Sequence, residues 1–225
     1  MQHTKRLISS KMEAAAKSWR RSSSQRSFFM FSLAILLLVS LDVPPVSASK
    51  TSNKSPLLKA YKSYIKKACN SATYPKECYQ SLSKYAPAIK TDPEKLYRVS
   101  LFVTIKAART TSSSISSLRR LKSLSPTDRA IIRDCGSTVS DAIDEMKQSL
   151  TVMAGIQGAD NKSELIENIR TWISAALTDT CTCTDEFDGQ KVSDAVNKNV
   201  KKTVLDLSKM TSNCLALLNT LQNYY

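Results

Sequence analysis

From Thr127 to Tyr225 the chain runs ninety-nine residues without a proline, and the whole sequence holds only four glycines. Turns draw on Pro and Gly, so a stretch like this cannot be a succession of hairpins; it has the composition of long helices. Within it, apolar residues return every three to four positions. Ile132, Cys135, Val139, Ala142, Ile143, Met146, Leu150 and Met153 form one such stripe. Val192, Val196, Val200, Val204, Leu207, Met210, Cys214 and Leu217 form another. Leu165, Ile169, Trp172, Ile173 and Ala176, and upstream Leu96, Val99, Val103, Ile115 and Leu118, follow the same period. This is the apolar face of helices packed around a shared core.

Start signals place the helices. Ser55-Pro56, Asp92-Pro93 and Ser125-Pro126 each set a capping side chain before a proline at the first helical position, where the missing N–H costs nothing. Ser125 with Asp128 reads as a capping box with Asp in place of Glu. Breaks fall at Thr73–Pro75, Ala86-Pro87, Ser123–Pro126, Gly155–Asn161 and Cys181–Gly189. The pattern predicts two short helices over about 56–71 and 75–86, then four long ones over about 93–122, 126–154, 163–178 and 185–222. Short connections make neighbouring long helices antiparallel. The expected fold is therefore all-α, an up-down four-helix bundle with an N-terminal helical hairpin.

Residues 28–41 are almost wholly apolar and too short for the roughly 20 residues of a membrane span. Seven cations and one acid precede the run, and Val46-Ser47-Ala48 follows it as a small-residue cleavage pattern. Residues 1–48 thus read as a secretory signal peptide and 49–225 as the functional domain, with no membrane association after cleavage. The 27-residue basic segment before the run also admits an uncleaved signal anchor. All six cysteines lie beyond the leader, as do the glycosylation acceptors at Asn53 and Asn161, which fits an oxidising, extracellular compartment. From Ser49 onward there are 26 Lys and Arg against 17 Asp and Glu, a surplus of 26 − 17 = +9. A secretory leader argues against nucleic acid as the acidic partner. Acidic pectin, bound weakly, is the alternative to a merely solvated surface.

Chemistry is scarce. The one histidine, His3, lies in the leader, which excludes Ser-His-Asp, Cys-His and His-zinc sites from the rest of the chain. No glycine-rich phosphate loop occurs, and no cofactor or metal is expected. Asp141 and Asp144 are the best carboxylate pair, and on a periodic helix they read as an exposed acidic face rather than a catalytic dyad. Cys69 and Cys78 bracket a tight turn within disulfide reach. Cys135 starts a helix whose antiparallel successor ends near Cys181 and Cys183, so spacing allows a bridge to either. Cys214 sits roughly 45 Å of helix rise from that turn and on the apolar stripe, as a buried inert thiol would.

Several strings carry a resemblance. Ala68-Cys69-Asn70-Ser71-Ala72-Thr73-Tyr74-Pro75-Lys76-Glu77-Cys78, Asp134-Cys135 with Asp141-Ala142-Ile143-Asp144-Glu145-Met146, Thr171-Trp172-Ile173-Ser174-Ala175-Ala176-Leu177-Thr178, Thr182-Cys183-Thr184-Asp185 and Thr211-Ser212-Asn213-Cys214 are similar to plant invertase and pectin methylesterase inhibitors. The likeness spans about Leu57 to Leu221. It implies a non-enzymatic four-helix bundle, secreted to the cell wall, with disulfides Cys69–Cys78 and Cys135–Cys183. Cys181 and Cys214 depart from the family pattern. The resemblance also implies that Ser137, Asp141, Asp144 and Thr182 face pectin methylesterase and block its cleft, with Ser137 standing where the family has an acid. The loop Gly155–Lys162 lacks the Pro-Lys-Phe of invertase inhibitors, which favours pectin methylesterase over acid invertase. A helical lipid-binding module is the reading from another class; the absence of a Cys-Cys pair and the abundance of core aliphatics argue against it.

Overall fold

The computed structural model describes residues 56–224, all helix and connecting turns. The leader, its apolar run and Asn53 lie outside the described residues. The hairpin consists of α1 (Pro56–Cys69), α2 (Pro75–Leu82) and, after a 3₁₀ turn at Ser83–Tyr85, the single turn α3 (Ala86–Ile89). The bundle follows as α4 (Pro93–Leu118), α5 (Pro126–Gly155), α6 (Lys162–Asp185), the short α7 (Asp194–Val196), a π-helical turn at Asn197–Lys201, and α8 (Lys202–Gln222). Around the bundle α4 packs on α5, α5 on α6, α6 on α8, and α8 back on α4.

Local chemistry explains the starts. The Asp92 carboxylate accepts the Lys95 N–H at 3.0 Å ahead of Pro93. Ser125 Oγ accepts the Asp128 N–H at 3.0 Å, and Asp128 Oδ2 accepts the Ser125 N–H at 3.4 Å. Such reciprocal caps stabilise a helix start by about 1 kcal/mol. Asp128 is almost fully buried because its second oxygen accepts the Ser193 N–H at 3.0 Å. The α5 cap thereby also holds the loop that leads into α7. Burial pushes this carboxyl upward, yet its hydrogen bonds from Ser193 and Ser125 outweigh that and hold it below the usual range.

Every residue of the α5 stripe is buried except Leu150, which is half-buried. Ile166, Ile169, Ile173 and Ala176 face them from α6. Burying such a side chain contributes about 1.5–3 kcal/mol, and these helices depend on that packing more than on propensity. Trp172 departs from the expected stripe. It is only half-buried and lines an open surface pocket instead.

Several helix boundaries also differ from the sequence reading. Helix α6 continues to Asp185 rather than ending near 178, so Cys181 and Cys183 sit within it and not in a turn. Threonine hydroxyls bond back along this stretch: Thr180, Thr182 and Thr184 donate to the carbonyls of Leu177, Thr178 and Cys181 at 2.7–3.0 Å. The stop comes only beyond Glu186, in a loop where Gly189 takes φ +71°. The last helical run, α7 through the π turn into α8, accordingly begins at Asp194 rather than 185. The Ser/Thr-rich end of α4 is helical by the same back-bonding, from Thr110, Ser113, Ser114 and Ser117. It nevertheless stops at Leu118 rather than 122. Pro87 does not end a helix; it sits in the first turn of α3, where proline is tolerated.

Candidate functional site

Two disulfides staple the molecule. Cys69 and Cys78 bridge the hairpin with Cα atoms 5.6 Å apart. Cys135 and Cys183 tie α5 to α6 with Cα atoms 4.6 Å apart. The second bridge fixes the register of α5 against α6 close to Ser137, two residues beyond Cys135, and to Thr182, which adjoins Cys183. The remaining cysteines are free: Cys181 is half-buried with Sγ 3.4 Å from Ser208 Oγ, and Cys214 is fully buried. Burial raises the Cys214 thiol to about 12, despite hydrogen bonds with Ser100 and Tyr97 that act the other way.

Ser137, Asp141 and Asp144 are all exposed on α5. Their spacing of four and three places them in one row about 10 Å long, on the side of the helix away from its buried stripe. Asp144 is partly engaged by Lys147, 2.7 Å away on the same helix. Thr182 is exposed on α6, and because its hydroxyl donates to Thr178 O at 3.0 Å, it offers only acceptor capacity outward. An exposed row on an open surface has neither the cleft nor the desolvation of an acid/base dyad. Among the described residues, no group of three or more His, Cys, Asp or Glu is placed to hold a metal ion, and no helix is long and apolar enough to cross a membrane.

The structure adds two features to this face that sequence reasoning passed over. Glu145 on α5 meets Asp179 on α6, and Asp141 adds its field. Burial foremost, then Asp179 and Asp141, push Glu145 up to about 7; burial and the Asp141 charge raise Asp179 as well, against a hydrogen bond with Glu145 that lowers it. The signal in the sequence was Glu145 falling four after Asp141, but its partner on α6 becomes visible only with the helix register. Beyond the acids, Trp172 lines an open surface pocket together with Asp144, Lys147, Gln148, Thr151 and Val152.

Charge separates along the chain. Residues 56–122 hold fourteen Lys and Arg against three Asp and Glu. Residues 123–188, which include α5 and α6, hold twelve Asp and Glu against five Lys and Arg. The α5–α6 pair is thus an acidic segment in a basic protein.

The family model for plant invertase/pectin methylesterase inhibitors matches residues 63–217. The chain belongs to that family. It is 37 % identical to pectinesterase inhibitor 4 of Arabidopsis thaliana over 199 residues, 88 % of this chain and 98 % of that one. It is 32 % identical to pectinesterase inhibitor 11 of the same plant over 202 residues, covering 88 % and 96 %. A 21 kDa protein of Daucus carota is 34 % identical over 158 residues, 69 % of this chain and 82 % of that one. The fold resembles the crystal structure of a mutant pectin methylesterase inhibitor from Arabidopsis, with a TM-score of 0.58 and 18 % identity over 69 % of this chain and 95 % of that one.

Proposed function

We propose that this protein inhibits pectin methylesterase by forming a reversible complex in which the acidic α5–α6 face covers the enzyme's pectin-binding cleft. The observation that carries the reading is the near full-length likeness to relatives named pectinesterase inhibitors. The exposed row Ser137, Asp141 and Asp144 on α5, with the exposed Thr182 on α6, supports it physically. A rigid acidic face suits a cleft that must itself attract a polyanion, and charge pairs of this kind chiefly set on-rate and salt dependence. Inhibition is by occupation, without chemistry of the inhibitor's own.

The family name also covers invertase inhibition, but the relatives above are named for pectinesterase, and the Gly155–Lys162 loop lacks the tripeptide associated with the invertase branch. Secretion through the basic leader, with glycosylation at Asn53 and the exposed Asn161, would bring the protein to the cell wall. There acidic pectin is a second, weaker partner suited to the basic surplus.

The test is titration of pectin methylesterase and of acid invertase with the purified protein. The expected result is stoichiometric loss of esterase activity and unchanged invertase. The double variant Asp141→Asn/Asp144→Asn should weaken inhibition about 3- to 30-fold, with a shallower salt dependence. Loss of invertase activity alone would overturn the proposal.

A further inference from the structure

Helix α1 carries Lys59, Lys62, Lys66 and Lys67 and no acid at all. The first three, spaced i, i+3 and i+7, stand on one side of the helix and line an open groove of about 430 Å³ together with Leu58, Ser63 and Tyr79. No carboxylate lines this groove, and none of the three lysines is in an ion pair among the described residues. Elsewhere the pattern differs: Lys95, Lys147, Arg170 and Lys209 each sit within 4 Å of an acid three residues away on the same helix. Like charges at i and i+4 or i+3 oppose helix formation. A row of three with no compensating acid therefore works against α1, which is held by the Cys69–Cys78 bridge instead.

The groove's shape and chemistry specify its occupant. Seven residues of helix rise spread the cations over roughly 10 Å, which matches a linear anion better than a compact one. Tyr79 is half-buried and lines the groove, which puts an aromatic side chain where a pyranose could pack while its carboxylate meets a lysine. A polymer with one carboxylate on each sugar satisfies both requirements, whereas a methyl-esterified sugar has lost the charge. We propose that the α1–α2 lysine groove binds a de-esterified polyuronate chain, retaining the protein on pectin whose carboxylates have already been exposed. The choice of polyuronate among polyanions rests on the reading of the target as a pectin methylesterase, whose product that polymer is.

The placement gives the site a use. The groove belongs to α1 and α2, whereas the acidic row belongs to α5 and α6; α1 packs on α2, α3 and α8. Polymer and enzyme can therefore be held together. An inhibitor tethered to product meets the enzyme at a raised effective concentration, so inhibition would grow where de-esterification has advanced.

The experiment compares binding of the purified protein, expressed from its full sequence, to sodium polygalacturonate, to highly methyl-esterified pectin of similar length, and to phosphatidylserine vesicles, all at low ionic strength. The triple variant Lys59→Gln/Lys62→Gln/Lys66→Gln is set against Lys191→Gln/Lys198→Gln/Lys202→Gln, which removes the same charge from exposed positions elsewhere. The groove variant relieves repulsion and should melt no lower than wild type. Polygalacturonate binding should fall at least about tenfold in the groove variant and less than about threefold in the control, with little binding to the esterified polymer. Equal losses in both variants, equal binding to esterified pectin, tighter binding to vesicles, or no polymer binding at all would each overturn the proposal. Inhibition of pectin methylesterase by the groove variant is measured separately on a dilute esterified substrate and should be unchanged. If even the wild type fails to inhibit, it is the functional reading that falls, while the polymer measurement stands on its own.

Discussion

Asn213 should be one of the most costly polar residues to remove. Its side chain is almost fully buried on α8 and grips the hairpin by the backbone: Oδ1 accepts the Tyr74 N–H at 2.8 Å, and Nδ2 donates to the Tyr74 carbonyl at 3.0 Å. In Asn213→Ala the carbonyl keeps its bond from the Cys78 N–H at 3.0 Å, but the Tyr74 N–H loses its acceptor. The net loss of the bond to the carbonyl is about 1 kcal/mol, and an orphaned N–H costs about 1–3 kcal/mol more. The sum, about 2–4 kcal/mol, should lower Tm by roughly 5–12 °C in a domain of this size. Asn213→Asp retains the acceptor but replaces the donor with an oxygen facing the Tyr74 carbonyl, so it should be destabilising too. Urea and thermal unfolding followed by circular dichroism would measure both, and hydrogen exchange should show the loss concentrated at residues 70–78. If Asn213→Ala costs less than about 0.5 kcal/mol, the clamp does not hold the hairpin and the reasoning fails.

Three further outcomes follow from the same structure. Selective loss of the Cys135–Cys183 bridge, as in Cys135→Ser/Cys183→Ser, opens a 48-residue separation and should cost about 4 kcal/mol, seen as a lower urea midpoint, with weaker esterase inhibition because Ser137 and Thr182 lose their register. Glu145, raised to about 7 in the folded chain, favours the fold in its protonated form. That contribution is complete below the ordinary carboxylate range and lost as pH rises through about 7, so Tm should fall between about pH 5 and 8, and Glu145→Gln should flatten the slope; parallel curves would refute the assignment. With a thiol reagent, the half-buried Cys181 should label in the native state, whereas Cys214 should label only at the rate of unfolding.

How much of this was legible in the sequence depends on which interaction decides each feature. The period of apolar residues announced α5 and the last helix because burial alone decides them. The caps at Asp92 and Ser125 were readable because capping is local. The end of α6 was not, since the Cys181–Gly189 stretch read as a break, and the hydroxyls of Thr182 and Thr184 are seen to bond back along the helix only once it is folded. Trp172 read as core for a related reason: periodicity gives a face to within one position, and at the edge of the stripe one position separates core from surface. Asn213 and Tyr74 both appeared in the strings that carried the family resemblance, but nothing local joins residues 139 apart, and only the fold supplies a reason for them. The Glu145–Asp179 pair was hidden likewise, as each residue alone is an ordinary acid on a helix.

The architecture also bears on why such a chain can inhibit without chemistry. Binding by occupation loses affinity to every degree of freedom that must be frozen on contact. Here the two helices that carry the acidic row are closed at both ends, by the Cys135–Cys183 bridge at one and by the short turn Ile156–Gly158 at the other. Between those ends, buried Val139, Ala142, Ile143 and Met146 lock α5 against its neighbours, so the exposed carboxylates are presented from a backbone that has already lost its freedom in folding. The side chains it presents are short: Ser137, Asp141, Asp144 and Thr182 each have few rotors to freeze. A face of long lysines and glutamates would carry the same charge at a greater entropic cost. Short acids on a doubly closed helix pair are what the proposed inhibitory face requires, since a binder that works by occupation gains most from groups already fixed before contact.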